Sequence, residues 1–300
     1  MKVVVIGASF AGLNVVRNLP GDFEKVIICL DKYPYKKNFL LDFLLGRVKS
    51  KDLLFEEELF NIENTEYFFA KKVTKINPKR KSVILDDKTQ IVYDVLVIAV
   101  GSRPRYISCP GVHKRGVVSL SVLEDIKYIK DIIDITSHIV LYLNTSLGYY
   151  TLDMFSLRKE NLKVLIPEEL RWQKIKESVR EENMDSRLSE FTYYFGLEVK
   201  EVIGNGDVKA LRLSNGKIVA CDLFIVDTGI KPNLEVVKNT DILCEDALII
   251  DGNFSTNIED IFAVGDVVNQ DLSNYIDYKG TSDKIIEDSR HLAQIIKSRY

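Results

Sequence analysis

Seven short runs of almost uninterrupted apolar, largely β-branched residues recur along the chain, at residues 2–6, 26–30, 95–100, 139–143, 163–166, 223–226 and 261–264. A run with no polar alternation has no solvent face, so the sheets it builds must be covered on both sides. Helical patterns between the runs supply that cover, and the fold class is therefore α/β with parallel sheets.

The order of these runs repeats. Strand, turn, helix, strand, hairpin, strand occurs over residues 1–101 and again over 138–229, the arrangement of a duplicated dinucleotide-binding unit. The hairpins fall at 73–92 and 199–221, with polar turns at Asp86-Asp87-Lys88 and Ser214-Asn215-Gly216. Cys109-Pro110-Gly111 separates the copies and reads as a crossing point, since proline and glycine break both strand and helix. Residues 230–300 are too few for a third unit and are expected to return to the first. The predicted organisation is two Rossmann-like three-layer domains, the second (111–231) inserted in the first (1–110 and 232–300).

Composition narrows the function. At 300 residues the chain has room for two cores. A net charge of -3 gives no electrostatic footprint for nucleic acid. No run of 18 apolar residues exists, so no transmembrane segment is expected. The opening apolar stretch is soon broken by Asn14 and Arg17 and reads as a first strand rather than a signal peptide, which makes a reducing cytoplasm the expected location. Cys29, Cys109, Cys221 and Cys244 lie far apart, and His113, His138 and His291 have no ligand-spaced neighbour, so neither a disulfide framework nor a metal site is expected.

The first run leads into Gly7-Ala8-Ser9-Phe10-Ala11-Gly12. Against G-x-G-x-x-G, Gly7 permits the tight turn, Gly12 permits close helix-strand packing, and the small Ser9 stands where a glycine lets backbone approach a pyrophosphate. The helix after this turn would present its free N–H groups to phosphate. Asp31 ends the second run, nineteen residues past Gly12, where a carboxylate takes ribose hydroxyls.

Two further segments, Val95-Leu96-Val97-Ile98-Ala99-Val100-Gly101-Ser102-Arg103-Pro104 and Ile261-Phe262-Ala263-Val264-Gly265-Asp266, resemble the internal flavin-domain motifs of the pyridine nucleotide-disulfide oxidoreductase family. Phe224-Ile225-Val226-Asp227-Thr228-Gly229-Ile230-Lys231-Pro232-Asn233 resembles its return strand from the nicotinamide domain, and residues 32–55 resemble its nitrite reductase large-subunit, rubredoxin reductase and NADH oxidase branch. The resemblance implies FAD. Carried over by position, it places Gly7, Ser9 and Gly12 at the pyrophosphate, Asp31 at the adenosine ribose and Lys37 at the flavin, with Phe10, Ala11 and Lys32 among the cofactor-binding residues. Val73 would give adenine a backbone contact, Ala99, Val100 and Gly101 would line the flavin pocket, and Gly265 and Asp266 would hold the ribityl or phosphate groups. Lys37 also reads as a solvated loop lysine, Val73 as an ordinary strand residue, and Asp266 as a helix N-cap.

The second copy departs from the pattern. Its glycine positions hold Leu143, Thr145 and Gly148, and two bulky residues there oppose a bent turn and a close phosphate approach. Sixteen glycines in all is low against the roughly 7% of average proteins, and part of the deficit falls on this loop. Tyr149 and Tyr150 come next, and an aromatic pair there would fill part of the nicotinamide channel. Glu168, at the end of the next strand, stands where a carboxylate selects NADH, and equally reads with Glu169 as a solvated cluster opening the helix 168–183. Gly148, Glu168 and Gly229 are the candidate nicotinamide residues.

No cysteine pair flanks the flavin motifs, which argues against disulfide reduction. The 34 residues after Asp266 are expected to form an amphipathic helix at 282–300 that packs on the first domain rather than a dimerisation domain. The resemblance implies an FAD-dependent oxidoreductase, its flavin reduced by NAD(P)H and reoxidised by oxygen, a quinone or a small redox protein, with no catalytic side chain besides the flavin. The alternative is an FAD-binding electron-transfer or sensing protein whose nicotinamide site is degenerate. A flavin fold without flavin is opposed by Gly7, Gly12 and Asp266.

Overall fold

The computed structural model describes residues 1–155, 159–179, 182–269 and 280–300. Its parallel strands, in chain order, are β1 (Lys2–Ile6), β2 (Glu24–Ile28), β3 (Thr65–Phe68), β4 (Val95–Ile98), β5 (Val117–Ser119), β6 (Ile139–Leu143), β7 (Leu162–Ile166), β8 (Thr192–Phe195), β9 (Leu223–Asp227) and β10 (Ile261–Ala263). They form two five-stranded sheets, in the orders β10-β4-β1-β2-β3 and β5-β9-β6-β7-β8. The duplication is thus carried into topology. Each sheet runs 3-2-1-4 from one edge, and the fifth strand comes from the chain's return in the first sheet but from the residues before the repeat in the second.

Burial explains which strands the sequence announces. Val3, Val4, Val5, Ile27 and Val97 are wholly inaccessible, and Val5 lies in register with Ile27 and Val97. The edge strands β3, β5 and β8 lie outside the seven apolar runs, because strands exposed on one face or at an end carry polar residues (Thr65, Glu66, Thr192) that break the apolar pattern. The run at 26–30 slides to 24–28, leaving Leu30 exposed at the rim of the sheet.

Each expected hairpin is a three-stranded antiparallel meander, Val73–Asn77 with Ser82–Leu85 and Gln90–Val92, and Val199–Ile203 with Ala210–Leu213 and Ile218–Ala220. The first has an extra turn at Pro78–Arg80, capped by the Asn77 side chain. The two crossings between the units pair with each other, Ser102–Pro104 antiparallel to Ile230–Pro232.

Three helices stand at the carboxyl ends of the two sheets' strands or run back from them: α1 (Phe10–Asn18), α2 (Ser146–Thr151) and α3 (Glu169–Val179). The expected helix at 168–183 is shorter, and residues 180–181 lie outside the described set. A last helix, α4 (Gly280–Arg299), packs Leu292, Ala293 and Ile296 into the same core as Val15 and Val16 of α1, closing the first unit. No helix among the described residues is long and apolar enough to cross a membrane.

Candidate functional site

In both sheets the strand order reverses beside the first strand of the repeat, and ligands of open parallel sheets bind in the crevice beyond the carboxyl ends there. In the first unit that crevice is a cleft of about 600 Å³, within the range of ligand sites. Of the expected residues, Gly7, Ser9, Asp31, Lys37, Val73, Ala99, Val100, Gly101 and Asp266 line it.

The loop is interlocked by its glycines. Gly7 sits at φ +117°, and a Cβ there would lie 2.2 Å from the Ala99 carbonyl oxygen. One on Gly12 would lie 1.9 Å from the Gly7 carbonyl oxygen. The turn, α1 and the end of β4 can approach only without side chains. Ser9, which lines the cleft, begins α1 in extended conformation with no side-chain cap bond, so its side chain does not take up the first-turn N–H groups that a helix cannot satisfy itself.

Asp266 carries the floor of the cleft. Gly265, at φ +85°, turns the chain into the short turn Asp266–Val268. Asp266 Oδ2 accepts a hydrogen bond from Ser102 Oγ at 2.7 Å. Asp266 Oδ1 is buried with no hydrogen-bond partner among the described residues. A buried, unpaired carboxylate oxygen is costly and points to a donor supplied from outside the chain. The helix-cap alternative for Asp266 is set aside: Gly265 takes the cap position and the carboxylate turns to Ser102. Lys37 Nζ donates to the Ser102 carbonyl at 3.2 Å, tying Lys37 into the same corner.

At the other end Asp31 is half-buried. Burial raises its pKa, opposed by the nearby Lys37 charge and reinforced by Glu124. Three expected residues support the cleft without lining it: Phe10 packs edge-on against Phe55 at 5.1 Å, Ala11 faces Gly265, and Gly12 underlies Gly7. Lys32 is exposed, with its ammonium over the Tyr33 ring at 5.3 Å, and does not line the cleft. Sequence reading missed Ser102 as a partner of Asp266, and Glu124 and Asn233 as lining residues. Ser102 and Asn233 lie inside the motif-like segments 95–104 and 224–233 without being marked there, whereas Glu124 arrives from a remote segment with no local signal.

The second unit's loop is different. Thr145 caps α2, its Oγ1 accepting from Leu147 N–H at 3.1 Å. Asp227, at the end of β9 and in register with Leu143, is 2% exposed. Its Oδ2 accepts from the backbone N–H groups of Thr145 (2.8 Å), Gly148 (3.1 Å) and Asn144 (3.3 Å), and its Oδ1 from Thr145 Oγ1 (2.7 Å). Burial pushes the Asp227 carboxyl up to about 6, against the pull of those bonds. Gly148 is buried, and a Cβ there would lie 2.4 Å from Asp227 Oδ2, so its smallness serves the carboxylate.

Between the units lies a void of about 40 Å³, lined by Lys37, Ser102, Thr145, Leu147, Gly229 and Asp266 among others; it holds a few waters at most. Tyr149 and Tyr150 do not fill it. Tyr149 is wholly buried beneath the loop, 6.0 Å from the Trp172 ring and with the Arg187 guanidinium 4.8 Å above it, and Tyr150 packs on the same core. Large aromatic surface here is drawn into the core rather than a channel. Glu168 is exposed, its carbonyl starting α3 by accepting from Arg171 and Trp172 N–H. What sets the second unit's loop apart from the first is the engagement of its N–H groups by Asp227.

All four cysteines are unpaired; burial pushes the Cys29 thiol up to about 11 and Cys221 up to about 12, away from the thiolate that disulfide exchange needs.

Two dinucleotide-type units, one inserted in the other, with an open glycine loop and an orphaned carboxylate in the first, define a flavoprotein of the two-domain oxidoreductase class. The sequence profile of the pyridine nucleotide-disulphide oxidoreductase family matches residues 1–140 and 169–288, and the chain belongs to that family, whose cofactor is FAD. A chain named "Probable ferredoxin reductase" from Castellaniella defragrans is 29% identical over 288 residues, covering 92% of this chain and 70% of that one. The assimilatory nitrate reductase electron transfer subunit of Bacillus subtilis is 24% identical, covering 88% of this chain but 35% of its own length, so this chain spans about a third of it. In fold, the chain matches a solved putidaredoxin reductase–putidaredoxin complex with a TM-score of 0.85 at 20% identity, over 99% of this chain and 75% of that one.

Proposed function

We propose that this chain is an FAD-dependent electron-transfer oxidoreductase, with FAD held in the 600 Å³ cleft by residues 1–110 and 232–300 and with 111–231 as the second, inserted domain. The observation that carries the reading is Asp266 Oδ1, a buried acceptor left open at the floor of the cleft that Gly7 and Ala99 wall. When bound, the flavin ring supplies the hydride and single-electron chemistry. The chain's part is placement: Ser102 fixes the Asp266 carboxylate so that Oδ1 accepts a ligand hydroxyl, the α1 turn meets phosphate, and Asp31 accepts from ribose hydroxyls.

The electron partner in this reading is a small redox protein, supported by relatives whose names include a ferredoxin reductase and an electron transfer subunit. Family membership makes NAD(P)H the default donor, whereas the internally bonded loop at 143–148 favours the form of the reading in which the nicotinamide site is degenerate.

The test is FAD content. The purified protein is expected to carry, or take up, one FAD per chain, and Asp266→Ala to lose it at least tenfold more readily in equilibrium dialysis. A wild-type protein that stays colourless with added FAD, or an Asp266→Ala variant that retains FAD fully, contradicts the assignment.

A further inference from the structure

A dinucleotide-binding turn holds pyrophosphate with backbone N–H groups where the first strand passes into its helix. In the second unit four of those groups are already used within the chain. The N–H groups of Asn144, Thr145 and Gly148 donate to Asp227, and that of Leu147 to Thr145 Oγ1. We propose that Asp227 is the resident anion of this turn, taking the donors a pyrophosphate would need, so that the second unit excludes NAD(H) and NADP(H) and the flavin exchanges electrons with another partner.

Three observations carry this beyond a loop with bulky side chains. The carboxylate is held by four hydrogen bonds and is 2% exposed at the end of a fully buried strand, so a ligand cannot displace it by a simple rotation into solvent. Gly148, the one glycine of the motif that survives, is the residue whose missing Cβ admits Asp227 Oδ2, so its presence no longer argues for a nucleotide. The carboxyl titrates at about 6, so at neutral pH it is mainly an anion, and bringing a pyrophosphate against it sets like charges together in a poorly solvated turn.

The inference deepens the electron-transfer reading and stays separable from it, because flavin content and nucleotide binding are read independently. FAD-loaded protein is titrated calorimetrically with ADP-ribose, NAD⁺ and NADP⁺, which bind without reducing flavin. Wild type is expected to show no saturation into the millimolar range, and Asp227→Gly to bind ADP-ribose at least tenfold more tightly. Should that variant fail to fold, Asp227→Ser, which keeps a hydroxyl acceptor for the turn, is expected to give a gain in the same direction. Micromolar binding of any of the three ligands by wild type overturns the proposal without need of a variant. So does unchanged ADP-ribose affinity in a variant that keeps its FAD and its native circular dichroism. A colourless wild type would instead count against the flavin reading alone.

Discussion

Asp227→Asn isolates the buried charge. Asparagine can present its Oδ1 to the N–H groups of Asn144, Thr145 and Gly148 while its amide donates to Thr145 Oγ1, so the substitution removes charge and keeps the turn's backbone donors partnered, with the Thr145 hydroxyl changing from donor to acceptor at this contact. In wild type the carboxyl is raised from 3.8 to about 6 by burial. The folded state therefore holds the proton more tightly than the unfolded chain, and stability falls as pH rises from about 4 to about 6, then levels off. About two units at 1.36 kcal/mol each is about 3 kcal/mol in all, of which about 2 kcal/mol develops between pH 4.5 and 7.5. Taking the difference between variant and wild type cancels every other titrating group. Urea unfolding followed through Trp172, the sole tryptophan and packed 6.0 Å from Tyr149 in the same core, reads this unit directly. The advantage of Asp227→Asn over wild type is expected to widen by about 2 kcal/mol across that pH range. A difference that stays flat, or widens toward acid, refutes a buried carboxylate ionising inside the turn.

The two loops give two more expected outcomes. Gly12→Ala puts a Cβ 1.9 Å from a backbone carbonyl that is itself pinned under β4, and overpacking of this kind costs roughly 1–3 kcal/mol; a thermal melt should show a clear drop with loss of FAD, and an unchanged melt would mean the loop is looser than its contacts imply. Leu143→Gly with Thr145→Gly, which restores the two missing glycines, should still leave NAD⁺ binding undetectable by calorimetry, because Asp227 keeps the N–H groups of residues 144, 145 and 148. Binding by that double variant would assign the closure to side-chain bulk.

The central strands are legible because their residues are buried on both faces and the sequence must say so; Thr65–Phe68 and Thr192–Phe195 are not, because a strand at the edge of a sheet keeps polar residues. In the flavin cleft, Gly7, Gly12 and Asp31 are readable from spacing, since the turn, the packing and the hydroxyl acceptor each require one residue type at one place, and Asp266 is readable from its motif. Lys32, the neighbour of Asp31 in sequence, does not line the cleft, its ammonium lying over the Tyr33 ring instead. Asp227 lies in the return-strand segment with nothing in the sequence to mark it. Its role comes from its register opposite Leu143 across the sheet, a pairing between residues far apart in the chain. Leu143 and Thr145 single out the second loop in the sequence, but Thr145 is a working part of the turn, cap and donor at once, and Gly148 makes room for the Asp227 carboxylate.

Anaerobic mixing of the FAD-loaded protein with NADH, and separately with NADPH, tests the central claim most directly. The visible flavin band is expected to persist with both nucleotides and to bleach when dithionite is added, showing a flavin that is reducible but closed to the dinucleotide. Rapid bleaching by either nucleotide would contradict it.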